Sequence, residues 1–170
     1  ISNMLIAYDT TSPYSTVMSV GVGRYTITAV ATDNKGATTA SAPVTVTGVA
    51  NQLPVVALVS PTENHLVVSQ TPAQIPLEAA ASDADGGIAA LRIYMQPQPM
   101  VEGDAPALLA AFTAPPYKAV WPDVPLTEAW ADGRWIDYFE VWAEATDVAG
   151  ATAMSDLAYV RVVASVPRTV

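Results

Sequence analysis

The sequence lacks several residue types on which common protein chemistries depend. Its 170 residues include no cysteine, which excludes disulfides and thiolate metal sites. Lysine and arginine together number seven against 16 acidic residues, so the formal net charge is −9. Such sparse cations cannot form a phosphate-tracking stripe, which argues against nucleic acid and anionic membrane surfaces as partners. No apolar run reaches the ~18 residues of a membrane span, so no such span is predicted.

Catalytic motifs are also missing. His65 is the only histidine, and no Gly-x-Ser-x-Gly motif accompanies it, so Ser60 and Ser69 nearby predict no catalytic triad. Glu140 and Glu144 are about 13 Å apart by strand rise, too far for the paired carboxylates of sugar hydrolysis. We therefore predict that the chain is not an enzyme and requires no cofactor.

The residues that are abundant favour β-structure. Hydrophobic residues make up 51% of the chain, and Val, Thr, Tyr and Trp recur at alternate positions between 14 prolines and nine glycines. Short alternating runs separated by turn residues predict a β-sandwich. Strands are expected at 1–8, 14–20, 25–32, 38–47, 55–60, 65–69, 75–82, 88–96, 107–112, 117–121, 135–146 and 152–163, with an irregular insertion at 122–133.

An internal repeat sets the organisation of the chain. Residues 25–38 and 139–152 each contain an alternating strand that ends in Ala-x-Ala-Thr-Asp-x-x-Gly-Ala-Thr. One structural unit used more than once is more typical of spacing or binding than of catalysis. Tyr25, Ile27, Ala29 and Ala31 are predicted to share one inward face of the first copy.

Further motifs give the chain a resemblance to a known family. These are Pro54-x-Val56, Ala79-x-Ala81-Ser-Asp83-Ala-Asp85-Gly86, Leu91-x-Ile93-Tyr94, Pro115-Pro-Tyr117-x-x-x-Trp121 and Ala143-x-Ala-Thr-Asp147-x-x-Gly150. Together they resemble the bacterial immunoglobulin-like repeats found in tandem in exported polysaccharide-degrading enzymes and cell-surface proteins. The resemblance implies a two-sheet antiparallel sandwich, a secreted or cell-surface location and neighbouring domains in the same polypeptide.

The alignment of the repeat predicts the domain boundaries. Residues 55–164 form a complete immunoglobulin-like module, 49–54 a linker and 165–170 a tail. Residues 1–48 match only the C-terminal half of such a module, so the chain is expected to be a fragment of something longer. Half a sandwich exposes unpaired strand edges, and we expect strand exchange with another chain through residues 1–48 as one way of covering them.

Three aspartates form one candidate site. Asp83, Asp85 and Asp147 follow strands whose ends meet at one end of a sandwich, beside the entering linker. Three carboxylates with nearby carbonyl oxygens, and with Asn51 or Asp33 as a further ligand, can bind calcium and stiffen the joint between modules. The alternative is that these side chains accept hydrogen bonds from turn backbone N–H groups.

An aromatic sheet face is the second candidate. If Leu91 points inward, then Arg92, Tyr94, Trp142 and Tyr159 point outward on neighbouring strands. Exposed aromatic rings can stack on sugars, and they can equally form cross-strand pairs or contact a neighbouring domain. The predicted function is a non-catalytic spacer or adhesion module of a larger exported bacterial protein. The alternative is an accessory carbohydrate-binding module, with polysaccharide as partner.

Overall fold

All regular secondary structure in the described part of the chain is β-strand. The computed structural model describes residues 4–69, 73–131 and 134–164. The chain divides into two compact units, Ile1–Ala50 and Asn51–Val170, and the division lies inside the predicted linker 49–54. The predicted tail at 165–170 lies outside the described residues. In the described ranges there is no helix long and apolar enough to span a bilayer.

The first unit consists of two short antiparallel ribbons. Within residues 4–50 its strands are β1 (Gly23–Ile27), β2 (Val30–Thr32), β3 (Thr38–Ala40) and β4 (Val44–Gly48). β1 pairs with β4 and β2 pairs with β3. No residue between 4 and 50 is buried. This unit therefore has the hydrogen bonds of a hairpin without a hydrophobic core.

The second unit is a two-sheet sandwich. Its described strands are β5 (Val55–Ser60), β6 (His65–Ser69), β7 (Ala73–Ser82), β8 (Ile88–Gln98), β9 (Ala107–Phe112), β10 (Lys118–Val124), β11 (Ala129–Ala131), β12 (Arg134–Ile136), β13 (Tyr138–Asp147), β14 (Thr152–Met154) and β15 (Ala158–Ala164). The smaller sheet has the order β10-β7-β5, and the larger has the order β6-β15-β13-β8-β9, with β14 also paired to β13. The predicted immunoglobulin-like sandwich is confirmed.

One strand pair departs from the antiparallel prediction. β6 runs parallel to β15, from His65 opposite Val160 to Ser69 opposite Ala164. After β5 the chain crosses from the smaller to the larger sheet through residues 61–64. The first two strands of the sandwich thus belong to different sheets. β5 pairs antiparallel with β7 in the smaller sheet, and β6 pairs parallel with β15 in the larger one.

The core lies between the two sheets of the second unit. In β7 the buried residues Ile75 and Leu77 alternate with Gln74 and Pro76, which are exposed, as the two-residue period of a strand requires. Every side chain predicted to fill this core is buried: Leu77, Leu91, Ile93, Phe139, Val141, Val160 and Val162. Trp121 is buried too, with its ring edge-on to Phe139 at 5.1 Å between centroids.

The predicted irregular insertion at 122–133 is more regular than expected. It contains the end of β10 and the strand β11, which forms a short hairpin with β12. Thr127 anchors it: its N–H donates to the Val162 carbonyl (2.7 Å), and its hydroxyl accepts from the Val162 N–H (3.0 Å). Glu128 forms an ion pair with Arg161 on the same strand. The insertion is therefore bound to β15, and the side chain of Trp130 within it lies outside the description.

The two copies of the repeat have the same strand register. Tyr25 faces Val46 as Phe139 faces Val160, and the next two pairs of β1 with β4, Thr26 with Thr45 and Ile27 with Val44, recur as Glu140 with Tyr159 and Val141 with Ala158. The β2–β3 pairs recur in the same way between β13 and β14. The repeat seen in the sequence is thus a repeat of backbone pairing.

Candidate functional site

Two loops and the entering chain meet at one end of the sandwich. Asp83 and Asp85 follow β7, and Asp147 ends β13. The Val148 N–H donates to the Gly87 carbonyl at 2.9 Å, which joins the two loops directly. The structure therefore brings the three predicted aspartates onto adjoining loops.

Asp147 is the most constrained of these carboxylates. Its residue is 1% exposed. Its Oδ2 accepts a hydrogen bond from the Asn51 side-chain amide at 2.7 Å, and its Oδ1 accepts from the Ala151 N–H at 2.8 Å. The Asn51 bond is the largest cause that holds the pKa of Asp147 below its usual value; burial opposes this effect, and backbone N–H groups of the turn add to it. The ionised carboxylate therefore serves as an anchor for the entering chain.

Asp85 and Asp83 have different environments. The Oδ2 of Asp85 accepts a hydrogen bond from the Gln52 N–H at 3.0 Å, so the linker is held at two consecutive residues. Both carboxylate oxygens of Asp83 are buried, and no described group donates to either one. A Cβ added to Gly86 would lie 2.8 Å from Asp83 Oδ2, so glycine allows this close approach.

Calcium binding by the three aspartates depends on how their carboxylates are placed in the part of the chain that the structure describes. Within those residues no group of three or more His, Cys, Asp or Glu side chains can hold one metal ion. Asp147 and Asp85 instead accept hydrogen bonds, the alternative considered for them from the sequence, although their donors include linker groups. Calcium binding stays a prediction. Titration of calcium into the chain tests it, with Asp83→Ala as the control, and a flat isotherm for the unsubstituted chain would remove it.

The predicted aromatic face is largely occupied by contacts among its own residues. Tyr94 on β8 stacks on Trp142 of β13, with ring centroids 5.7 Å apart and an interplanar angle of 25°. Trp142 is only 9% exposed, so it is not the open ring that the sequence predicted. Tyr159 on β15 is edge-on to Tyr138, and Arg92 lies opposite Glu144.

An exposed apolar residue on β9, which the sequence analysis did not identify, extends this face. Leu108 on β9 lies opposite Tyr94 and is 54% exposed. A one-residue irregularity in the β8–β9 pairing places Leu108 there. Such bulges change which residue faces outward, and alternation counted along β9 alone does not show them.

A groove beside β5 was also missed. It has a volume of about 670 Å³ and lies between β5 and residues 155–159. Val56, Leu58 and Leu157 contribute apolar surface to it, and Glu63 and Asp156 contribute carboxylates. The lining comes from segments about 100 positions apart, so no local motif marks the groove.

Comparisons with known proteins support the fold. No protein-family model and no curated protein matches the chain. Among solved structures, the chain is similar to the Clostridium thermocellum CbhA fibronectin(III)-like modules, at 23% sequence identity and a TM-score of 0.51. The match covers 92% of this chain and 71% of that chain. At this identity the likeness shows an immunoglobulin-like sandwich architecture and carries no statement about activity.

Proposed function

We propose that this chain is a non-catalytic structural module, a spacer or adhesion segment, of a larger exported bacterial protein. The observation that carries the proposal is the clamped linker: Asn51 and Gln52 are both hydrogen-bonded to carboxylates at the end of the sandwich. A spacer keeps its neighbours at a set distance only if the chain enters each module in a fixed direction.

The repeat supports the same function. One hairpin occurs twice with the same register, which is the internal organisation of tandem arrays. The similarity to fibronectin(III)-like modules of a bacterial protein fits a module among other domains. The acidity of the chain suits the extracellular location that the sequence resemblance implies.

Distance measurements between spin labels test the spacer role. The chain has no cysteine, so Thr39→Cys in the first unit and Ala111→Cys in the second give a unique label pair. We expect a narrow distance distribution that broadens when Asn51→Ala removes the side-chain bond to Asp147. Asn34→Ala, an exposed turn substitution in the first unit, is the control and should leave the distribution narrow. A distribution that is broad before any substitution would contradict the proposal.

The alternative, carbohydrate binding, rests on the half-buried ring of Tyr94 beside exposed Leu108. Sugar stacking needs an accessible ring face, and Trp142 is buried and stacked on Tyr94. The structure therefore favours carbohydrate binding less than the sequence did. Pull-down on insoluble polysaccharides separates the two functions. We expect the chain to stay in the supernatant. Retention that is lost in Tyr94→Ala but kept in Tyr8→Ala would support binding instead.

A further inference from the structure

The outer edge of the first unit is unpaired where its counterpart in the second unit is fully paired. In β13 one edge pairs with β14 and β15, and the other pairs with β8 along ten positions from Tyr138 to Asp147. β1 and β2 retain the first set of pairs. Among the described residues, nothing pairs with their other edge.

The first copy also differs from the second in exposure. Ala143 and Ala145 are completely buried, whereas Ala29 and Ala31 at the same positions of the repeat are exposed. The part of the predicted inward face formed by Ala29 and Ala31 is therefore open to solvent, whereas Tyr25 and Ile27 are half-buried. Backbone pairing within the hairpin is the same in both copies, so the difference lies in the strands around it.

Free strand edges normally carry features that prevent pairing. Proteins protect them with lysine, proline, inward charges or bulges. Apart from Arg24 near the start of β1, the two strands contain no charged residue and no proline, and every residue from Tyr25 to Thr32 is β-branched, aromatic or alanine. The edge is thus chemically competent to accept another strand.

The second copy shows what kind of strand fits. Ile93 and Leu91 of β8 lie opposite Ala143 and Ala145, and all four are completely buried. Large branched side chains on the added strand thus match alanines on the hairpin. Ala29 and Ala31 offer the same small residues at the same spacing.

We propose that the outer edge of β1 and β2 is an acceptor site for an added antiparallel strand of the β8 type. Such a strand has large apolar residues at alternate positions, placed over Ile27, Ala29 and Ala31, and binds by β-augmentation. This site is independent of the spacer role, because the linker contacts involve only the second unit.

A peptide with the sequence of Ile88–Gln98 is the probe, and disulfide trapping on the intact chain reads its register. Trp142 faces Tyr94 in the second unit, and Thr28 is the counterpart of Trp142 in the repeat. The Thr28→Cys variant of the chain is therefore mixed with the Ile88–Gln98 peptide in which cysteine replaces Tyr94. We expect cross-linking at least tenfold faster than with a scrambled peptide of the same composition.

Two controls make the result decisive. Peptide with cysteine in place of Ile93 presents the thiol on the opposite face and should cross-link slowly. Ala31→Glu in the chain places a charge under the added strand and should abolish capture, while tryptophan fluorescence reports an intact second unit. Equal rates for all peptides would overturn the proposal. Disulfide-linked dimers of the Thr28→Cys variant that form faster than the cross-link to the peptide would also overturn it. They would identify a second copy of the chain as the occupant of the edge.

Discussion

The same hairpin occurs twice in this molecule, once covered and once uncovered. The turn after Asp33 and the turn after Asp147 have the same hydrogen bonds, with the aspartate N–H donating at 2.9 Å to the carbonyl four residues later in both. Phe139 and Ala143 are nevertheless buried, whereas Tyr25 is half-buried and Ala29 is exposed. Local sequence is therefore sufficient for the turn and the register, and burial depends on the strands that surround them.

Truncating the large aromatic residue should separate the two copies most strongly. Phe139→Ala empties a site between the sheets and should lower the free energy of unfolding by about 3–5 kcal/mol. Tyr25→Ala should leave that free energy within about 0.5 kcal/mol, because Tyr25 lies in the first unit, outside the core of the second. All four tryptophans follow residue 50, so urea unfolding monitored by fluorescence reports the second unit alone. Equal losses would show that both hairpins share one core.

Enlarging the central alanine should give a smaller contrast. Ala143→Leu overfills a fully buried position and should cost about 1–3 kcal/mol. Ala29→Leu adds an exposed side chain and should change the free energy of unfolding by less than about 0.5 kcal/mol. The same urea titration measures Ala143→Leu, and amide exchange in the first unit measures Ala29→Leu. A cost at Ala29 as large as that at Ala143 would mean that the first unit is covered in solution.

A turn glycine should instead give matching effects in the two copies. Gly36 and Gly150 have φ of 86° and 91°, and a Cβ at either position meets no other atom within 4 Å. Alanine at each should therefore cost about 1–2 kcal/mol through backbone conformation alone. Urea unfolding measures the loss for Gly150→Ala, and amide exchange at Asp33 and Ala37 measures it for Gly36→Ala. Unequal losses would show that the turn depends on its surroundings.

The linker contact should produce the smallest effect, and this effect should be present at neutral pH and lost in acid. The pKa of Asp147 is lower in the folded chain than when unfolded, so its contribution is complete above the ordinary aspartate value of about 3.9. It is lost as the pH falls through the lower, folded pKa. Asn51→Ala removes the main cause of that lowering.

We therefore expect acid unfolding of Asn51→Ala to begin at a higher pH than that of the unsubstituted chain. Both should be equally sensitive to pH near neutrality, and circular dichroism against pH measures the midpoints. Asn34→Ala provides the matched asparagine control in the first unit. An unchanged midpoint for Asn51→Ala would show that the linker contact contributes nothing to the stability of the ionised state.

Much of the second unit was predictable because its signals are local. The prediction for β9, residues 107–112, matches the structure at both ends, and alternation identified Leu91, Ile93 and Phe139 as core. The predicted strand at 14–20 is wrong, as is any strand within 4–8. The motif alignment equates Tyr14 with Tyr117, just before β10, and β10 forms its hydrogen bonds with β7. No described strand of the first unit corresponds to β7.

The candidate sites were predictable only in part. Sequence placed Asp83, Asp85 and Asp147 at one end of the sandwich because strand order brings their loops together. It did not show that Asn51 and Gln52 would supply hydrogen-bond donors to two of them, since that depends on the path of the linker. Likewise, the stacking of Tyr94 on Trp142 depends on the pairing of β8 with β13, which no local pattern contains.

The sequence by itself determined the all-β class, the repeated hairpin and its turns, because alternation and turn residues act over a few neighbouring positions. Only the tertiary structure decided which copy of the hairpin has a core and which aspartate is buried. Burial requires surfaces from distant segments to close over a residue. Ala29 and Ala143 occupy the same position in the repeat, yet only Ala143 has a second sheet opposite it.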